Sequence, residues 1–279
     1  MNRLLVAFGS AVLGAFAVAG HAANGSRVAL VIGNAHYQNA PDLKNPANDA
    51  TDMCKALARL GYRTLCHTDV RDREQFASHV EEFVDLLRPD SVGVFFYAGH
   101  GVQADGANFL IPTQIVPRAA AQNPLRELYG VEELFDRLRE KPTFFKLVIL
   151  DACRTDLFAS ASREPAGRSL ARSLEAVPHA SYGLAPIRDA PAGTKVLYAT
   201  ASKGAAYDGE GRNGPLTKHV LRHIGTPALP IDEFFRLVTL GVETDTRDYR
   251  KRQTPFVYGS FGGEFCLAGC RRVVVPPVN

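Results

Sequence analysis

The segment FKLVILDACR, residues 145–154, carries an unbroken apolar run from Leu147 to Leu150 and ends on an acid, a small residue, a cysteine and an arginine. A continuous Val/Ile/Leu run without polar alternation is the pattern of a strand covered on both faces. Three other segments share it: RVALVIGN (27–34), SVGVFFYAG (91–99) and TKVLYATA (194–201), with YRTLCH (62–67) a weaker fifth. Between them lie amphipathic stretches at helical spacing, residues 48–61, 72–87 and 131–140, and two more follow at 214–224 and 231–248. Strand alternating with helix implies an α/β domain, a mostly parallel sheet with helices on both faces. VQADGANFLIP (102–112), with its Asp-Gly, predicts a hairpin on the end of the 91–99 strand. Residues 254–268 are expected as a last strand.

Two regions stand outside that alternation. Residues 1–22 carry one early cation, Arg3, then a short stretch rich in Ala and Gly, and close on Gly-His-Ala. This is the layout of a secretory signal cleaved after Ala22, and the shortness of the stretch favours cleavage over a retained membrane anchor. The mature chain, 23–279, is then expected in the periplasm or outside a bacterial cell. Residues 154–192 are rich in Ala, Ser, Arg, Pro and Gly and read as a long flexible loop.

Of 279 residues, 46% are hydrophobic and 22% charged, with a net charge of +3. So mild a balance argues against nucleic acid as the main partner. There are five cysteines. In an oxidising compartment Cys266 and Cys270, four apart, can close a small loop, and Cys54 and Cys66 can meet where a helix packs on the sheet. Cys153 is left over if both pairs form. Zinc is a competing use of cysteine, but the spacing is a weak signal for it, as is the i, i+4 pair His219 and His223. No metal or other cofactor is expected.

In parallel α/β sheets the ligand crevice lies beyond the carboxyl ends of the strands. One strand ends on His100 and Gly101, another on Asp151 and Cys153. A thiol needs a base to become a nucleophile, and the histidine can supply one. The backbone N–H groups of Gly101 and Cys153 can then stabilise an oxyanion. Taken singly, Cys153 reads as a buried structural thiol and His100 as a strand-end histidine. Together they point to acyl-transfer chemistry.

FFYAGHG and LVILDACR resemble the two catalytic blocks of the caspase-like cysteine peptidases, the superfamily of caspases, metacaspases and paracaspases. His100 and Cys153 are 53 residues apart, near the roughly 50 of that family. Residues 28–53 are similar to its first strand, loop and helix, and VLYATASKGAAYDGEGRNGPLTKHVLRHI to its post-cysteine strand and helix. The resemblance implies a three-layer sandwich around a six-stranded sheet and a Cys-His dyad. It also implies a specificity pocket lined by Asp151, two before the cysteine, with Asp49 as a second acid and Asp208 as a looser third. Such a pocket suits Arg or Lys at the cleavage position, P1. Asp49 equally fits a helix-start acid, and Asp151 a loop anchor. Arg163, Arg168, Arg172 and Arg188 are candidate self-cleavage points or ordinary solvated arginines. The calcium activation of many metacaspases is not carried over, since no ligand cluster is readable. A silent caspase-like binding or scaffold module is the alternative. A redox protein is disfavoured by the lack of Cys-x-x-Cys.

Overall fold

A computed structural model describes residues 25–115, 123–153, 170, 174, 177–185, 187, 189–200 and 206–270, with the backbone alone at Cys153 and Tyr182. The signal segment and most of 154–176, including Arg163, Arg168 and Arg172, lie outside the described residues, as does Arg188.

The main sheet has six strands: β1 (Arg27–Gly33), β2 (Arg63–Thr68), β3 (Val92–Ala104), β6 (Phe145–Cys153), β8 (Thr194–Tyr198) and β9 (Phe256–Tyr258). Their order is β2-β1-β3-β6-β8-β9, parallel throughout except for β9. Side chains alternate between two cores. Val92, Val94, Phe96 and Ala98 of β3 face one core, with Phe145, Leu147 and Ile149 of β6. Helices α1 (Pro46–Arg59), α4 (Pro215–His223) and α5 (Ile231–Asp245) cover that side. Phe95 and Tyr97, with Val148 and Leu150, face the other, under α2 (Arg73–Leu86) and α3 (Val131–Arg139). Burial on both faces explains the unbroken apolar runs.

Local chemistry sets the helix ends. Proline opens α1 at a position whose N–H has no intrahelical partner, and Gly61 follows the helix at φ +80°. Asp72 caps α2 by accepting from Gln75 N at 2.8 Å, while the Gln75 side chain accepts from Arg71 N at 2.8 Å.

The structure departs from the sequence expectations at three places. The 91–99 strand does not stop at the rim but continues to Ala104 and turns at Asp105-Gly106 (φ +49° and +83°) into β4 (Ala107–Leu110). The hairpin is therefore present, with positive φ at both turn residues. β4 pairs in turn with β5 (Tyr129–Gly130). The 154–192 region is not loop throughout. Ser181–Tyr182 form β7 against β3, Leu184 and Ile187 enter the core, and Leu170 and Leu174 pack with Tyr37, Leu43 and Val102. Their apolar side chains are too sparse in sequence to show a period. The expected strand 254–268 shrinks to Phe256–Tyr258, because Gly259 turns the chain at φ +93°. Phe265, Cys266 and Leu267 are buried without being strand.

Disulfides join Cys54 to Cys66 and Cys266 to Cys270, with Cα–Cα distances of 6.2 and 5.0 Å. The first ties α1 to β2. No helix among the described residues is long and apolar enough to cross a membrane.

Candidate active site

His100 and Cys153 are register partners on the adjacent parallel strands β3 and β6, as are Gly99 and Ala152, and Ala98 and Asp151. The sheet thus delivers the backbone of both residues to one rim, at the carboxyl ends of the strands.

His100 is held from several sides. Its backbone N–H donates to the Tyr37 hydroxyl at 2.9 Å, and the Tyr97 hydroxyl donates to its carbonyl at 2.8 Å. The Tyr37 ring lies 4.5 Å from the imidazole. Gly99 (φ +154°) permits this clamp, since a Cβ there would come within 2.6 and 2.7 Å of the two tyrosine hydroxyls. Asp42 fixes the approaching loop by accepting from Tyr37 N at 2.7 Å.

The imidazole is 1% exposed. Its Nε2 is 2.8 Å from the Pro41 carbonyl oxygen, which can only accept, so Nε2 carries the proton in the neutral ring. The lone pair then sits on Nδ1, which is buried and has no hydrogen-bond partner among the described residues. Burial pushes His100 down to about 4, only partly offset by the Pro41 carbonyl and Asp42. The ring is therefore neutral at physiological pH, with Nδ1 as its acceptor nitrogen. That is the state a general base requires.

Asp49 and Asp151 are both nearly sealed from solvent. They converge: an ideal Cβ on Gly214 would lie 3.4 Å from an Oδ2 of each. Asp151 accepts from the Thr217 hydroxyl at 2.8 Å. Asp49 accepts from Gly214 N at 3.1 Å and Asn213 Nδ2 at 3.0 Å. The Asp49 carboxylate thus reaches across to the start of α4, with no side-chain cap recorded on its own helix. Both carboxyls are raised, by desolvation first; for Asp49 the like charge of Asp151 comes next.

Asp208 is brought near the same place, its backbone carbonyl oxygen 3.6 Å from where an ideal Cβ on Gly214 would lie. Its carboxylate is already engaged, accepting from the Lys44 and Asn45 backbone N–H groups before α1. Gly101 is close-packed: a Cβ would meet Ala152 and Leu184 at 3.0 Å.

Sequence reasoning missed Pro41, Asn213, Gly214 and Thr217. The Asn-Gly-Pro at 213–215, a helix start with no capping side chain, was a readable signal for the middle two. His219 and His223 do not converge on a metal site. His219 Nε2 pairs with Asp245 at 2.8 Å, a carboxylate supplied by α5 and invisible in the local sequence. Among the described residues, the one cluster with metal-ligand types is Glu264, Cys266 and Cys270. Its two sulfurs are bonded to each other, so neither is a thiolate ligand.

A mostly parallel sheet with helices on both faces, bringing the backbones of His100 and Cys153 to one rim beside a buried acid pair, has the arrangement of a caspase-type domain. Residues 26–265 match the family model of the caspase domain, Peptidase_C14, and the chain belongs to that family of cysteine peptidases. It is 32% identical over 130 residues to the human mucosa-associated lymphoid tissue lymphoma translocation protein 1 and to its mouse homolog. That match covers 46% of this chain and 15% of each relative, so the chain spans a small part of their length. The fold is similar to caspase-1 from Spodoptera frugiperda, with a TM-score of 0.58, 13% identity, and 89% and 93% of the two chains covered. A protein from Geobacter sulfurreducens gives 0.59, 16%, and 85% and 94%. At these identities the likeness is one of fold, the caspase-like three-layer sandwich.

Proposed function

We propose that this protein is an exported cysteine endopeptidase that cuts peptide chains after Arg or Lys. Cys153 is the nucleophile and His100 Nδ1 takes its proton. The thiolate attacks the scissile carbonyl, and the N–H groups of Gly101 and Cys153 hold the oxyanion. The protonated His100 gives its proton to the leaving amine, and a thioester remains on Cys153. Water, deprotonated by His100, releases the acid. The Pro41 carbonyl keeps the ring in the useful tautomer and steadies the imidazolium. No cofactor or metal takes part in these steps.

The observation that carries the specificity is the convergence of Asp49 and Asp151 on Gly214, beside the strand ends bearing the dyad. Two desolvated carboxyls are costly without a cation and favourable with one, through charge-assisted and bidentate bonds. Asp208 shapes the pocket by fixing the start of α1. Export is supported by the two disulfides, which leave Cys153 as the fifth cysteine.

The test is a panel of fluorogenic peptides with Arg, Lys, Asp or Ala at P1, with and without calcium, for wild type and Cys153→Ala. Turnover of the Arg and Lys peptides, lost in the variant, is the expected result. A folded protein that turns over none of them would favour a binding module.

A further inference from the structure

A second charged feature, opposite in sign, is linked to the acid pair through the 207–208 segment. The loop after α5 reads RDYRKR at 247–252 and exposes Arg247, Arg250, Lys251 and Arg252, against a single acid, Asp248. Arg252 is 3.9 Å from Glu243. Among the described residues, neither Arg247 nor Arg250 has a carboxylate within ion-pair distance. An exposed run of cations is ordinarily just solvated. This one is hydrogen-bonded to Tyr207, beside Asp208.

The underpinning is buried. Gln253 and Thr246 are both fully buried, and Gln253 N donates to the Thr246 hydroxyl at 3.0 Å. Gln253 Nε2 donates to the Ala199 carbonyl at 3.1 Å, one residue beyond β8, and its Oε1 accepts from Tyr207 N at 3.1 Å. The Tyr207 hydroxyl in turn donates to the Lys251 carbonyl at 2.8 Å and accepts from Lys251 N at 3.2 Å. The Tyr207 and Tyr249 rings meet edge to face at 4.8 Å. Tyr207 is the chain neighbour of Asp208, whose carbonyl lies 3.6 Å from the point on which Asp49 and Asp151 converge. One short segment, 207–208, therefore approaches the acid pair through Asp208 and bonds the cationic loop through Tyr207.

We infer that the 247–252 loop is a second recognition element of the site, and that preferred substrates carry acidic side chains within a few residues of the basic residue at which they are cut. The inference rests on the peptidase reading above. A peptide anchored by Arg or Lys in the acid pair runs past the tyrosines, and an acidic side chain on it meets Arg247 and Arg250. The contacts are exposed, so they act as modest, salt-screened attractions rather than buried pairs.

The experiment compares three peptides with Arg at P1 whose flanking positions are two Glu, two Gln or two Lys, at low and high salt. Cleavage is followed with the wild-type chain and with an Arg247→Glu/Arg250→Glu double variant. Binding of uncleavable, labelled versions is followed by anisotropy with Cys153→Ala. The expected result is a preference for Glu over Gln flanks of about fivefold in kcat/KM and in affinity at low salt, and the reverse for Lys flanks. The preference shrinks with salt and inverts in the double variant. Equal handling of the Glu and Gln peptides, in cleavage and in binding, overturns the inference while leaving the peptidase reading intact. Binding that prefers Glu flanks without any cleavage overturns the peptidase reading and keeps the recognition loop.

Discussion

Asp49→Asn should make the protein more stable and a poorer enzyme. The wild-type carboxyl is held out of water beside Asp151, and both are raised above the ordinary carboxylate range. A group whose folded pKa is raised stabilises the fold at pH values below its unfolded value. That stability is lost as pH rises through the folded value. At pH 7.5 the unfolded chain ionises both carboxyls, whereas the fold holds Asp49, raised to about 8, largely protonated beside Asp151, so the pair is a liability. Each tenfold in proton affinity corresponds to about 1.4 kcal/mol, and keeping a buried carboxyl protonated where the unfolded chain would ionise it costs about 2–4 kcal/mol on that scale. Asparagine keeps the oxygen that accepts from Gly214 N and Asn213 Nδ2, and offers Asp151 a donor in place of a charge. The expected gain is about 5 °C or more in Tm at pH 7.5, shrinking towards zero near pH 4. Cleavage after Arg should fall at least about a hundredfold, since one of two charge-assisted contacts is gone. Thermal melts from pH 4 to 8, with kinetics on an Arg peptide, check both halves. If the variant is less stable than wild type at pH 7.5, the carboxylate is a structural anchor for α4 and the pocket argument fails.

Three further outcomes follow from named contacts. Gly214→Ala places a methyl 3.4 Å from both Asp oxygens, an ordinary contact, so the fold should survive. KM for Arg peptides should rise about tenfold with kcat nearly unchanged, and an equal fall in kcat would contradict this. Tyr37→Phe strips the acceptor from His100 N and leaves a buried donor unpaired, costing about 1–3 kcal/mol; kcat should fall more than KM changes, as steady-state kinetics can separate. His100 is depressed to about 4, so its contribution is present above the unfolded value near 6.5 and is lost as pH falls through about 4. His100→Gln should remove up to about 3 kcal/mol of that acid destabilisation, seen as a Tm gap over wild type that opens between pH 7 and 4.5.

The main strands were legible because they are buried on both faces, which forces long apolar runs with little else to mimic them. His100, Asp151 and Cys153 were legible because they interrupt such runs at their ends. What was not legible depends on partners distant in sequence. The acceptor for His100 Nε2 is the backbone carbonyl of Pro41, and a carbonyl leaves no mark on residue identity. Whether Asp49 caps its helix or faces a pocket turns on Gly214, 165 residues away. The extension of β3 past the rim was masked by Gly99 and Gly101, which read as a strand end but instead make room for Tyr37, Tyr97, Ala152 and Leu184. β7 is two residues long, too short for any period to show.

The central claim joins a nucleophile, Cys153, to a pocket for a basic side chain. The most direct measurement is covalent labelling with peptide chloromethyl ketones carrying Arg, Lys or Asp at P1, followed by peptide mapping under non-reducing conditions. The account predicts one adduct, on Cys153, formed rapidly with Arg and Lys and slowly with Asp, with Cys54–Cys66 and Cys266–Cys270 still bridged. An unmodified Cys153, or labelling of equal speed with all three reagents, would contradict it.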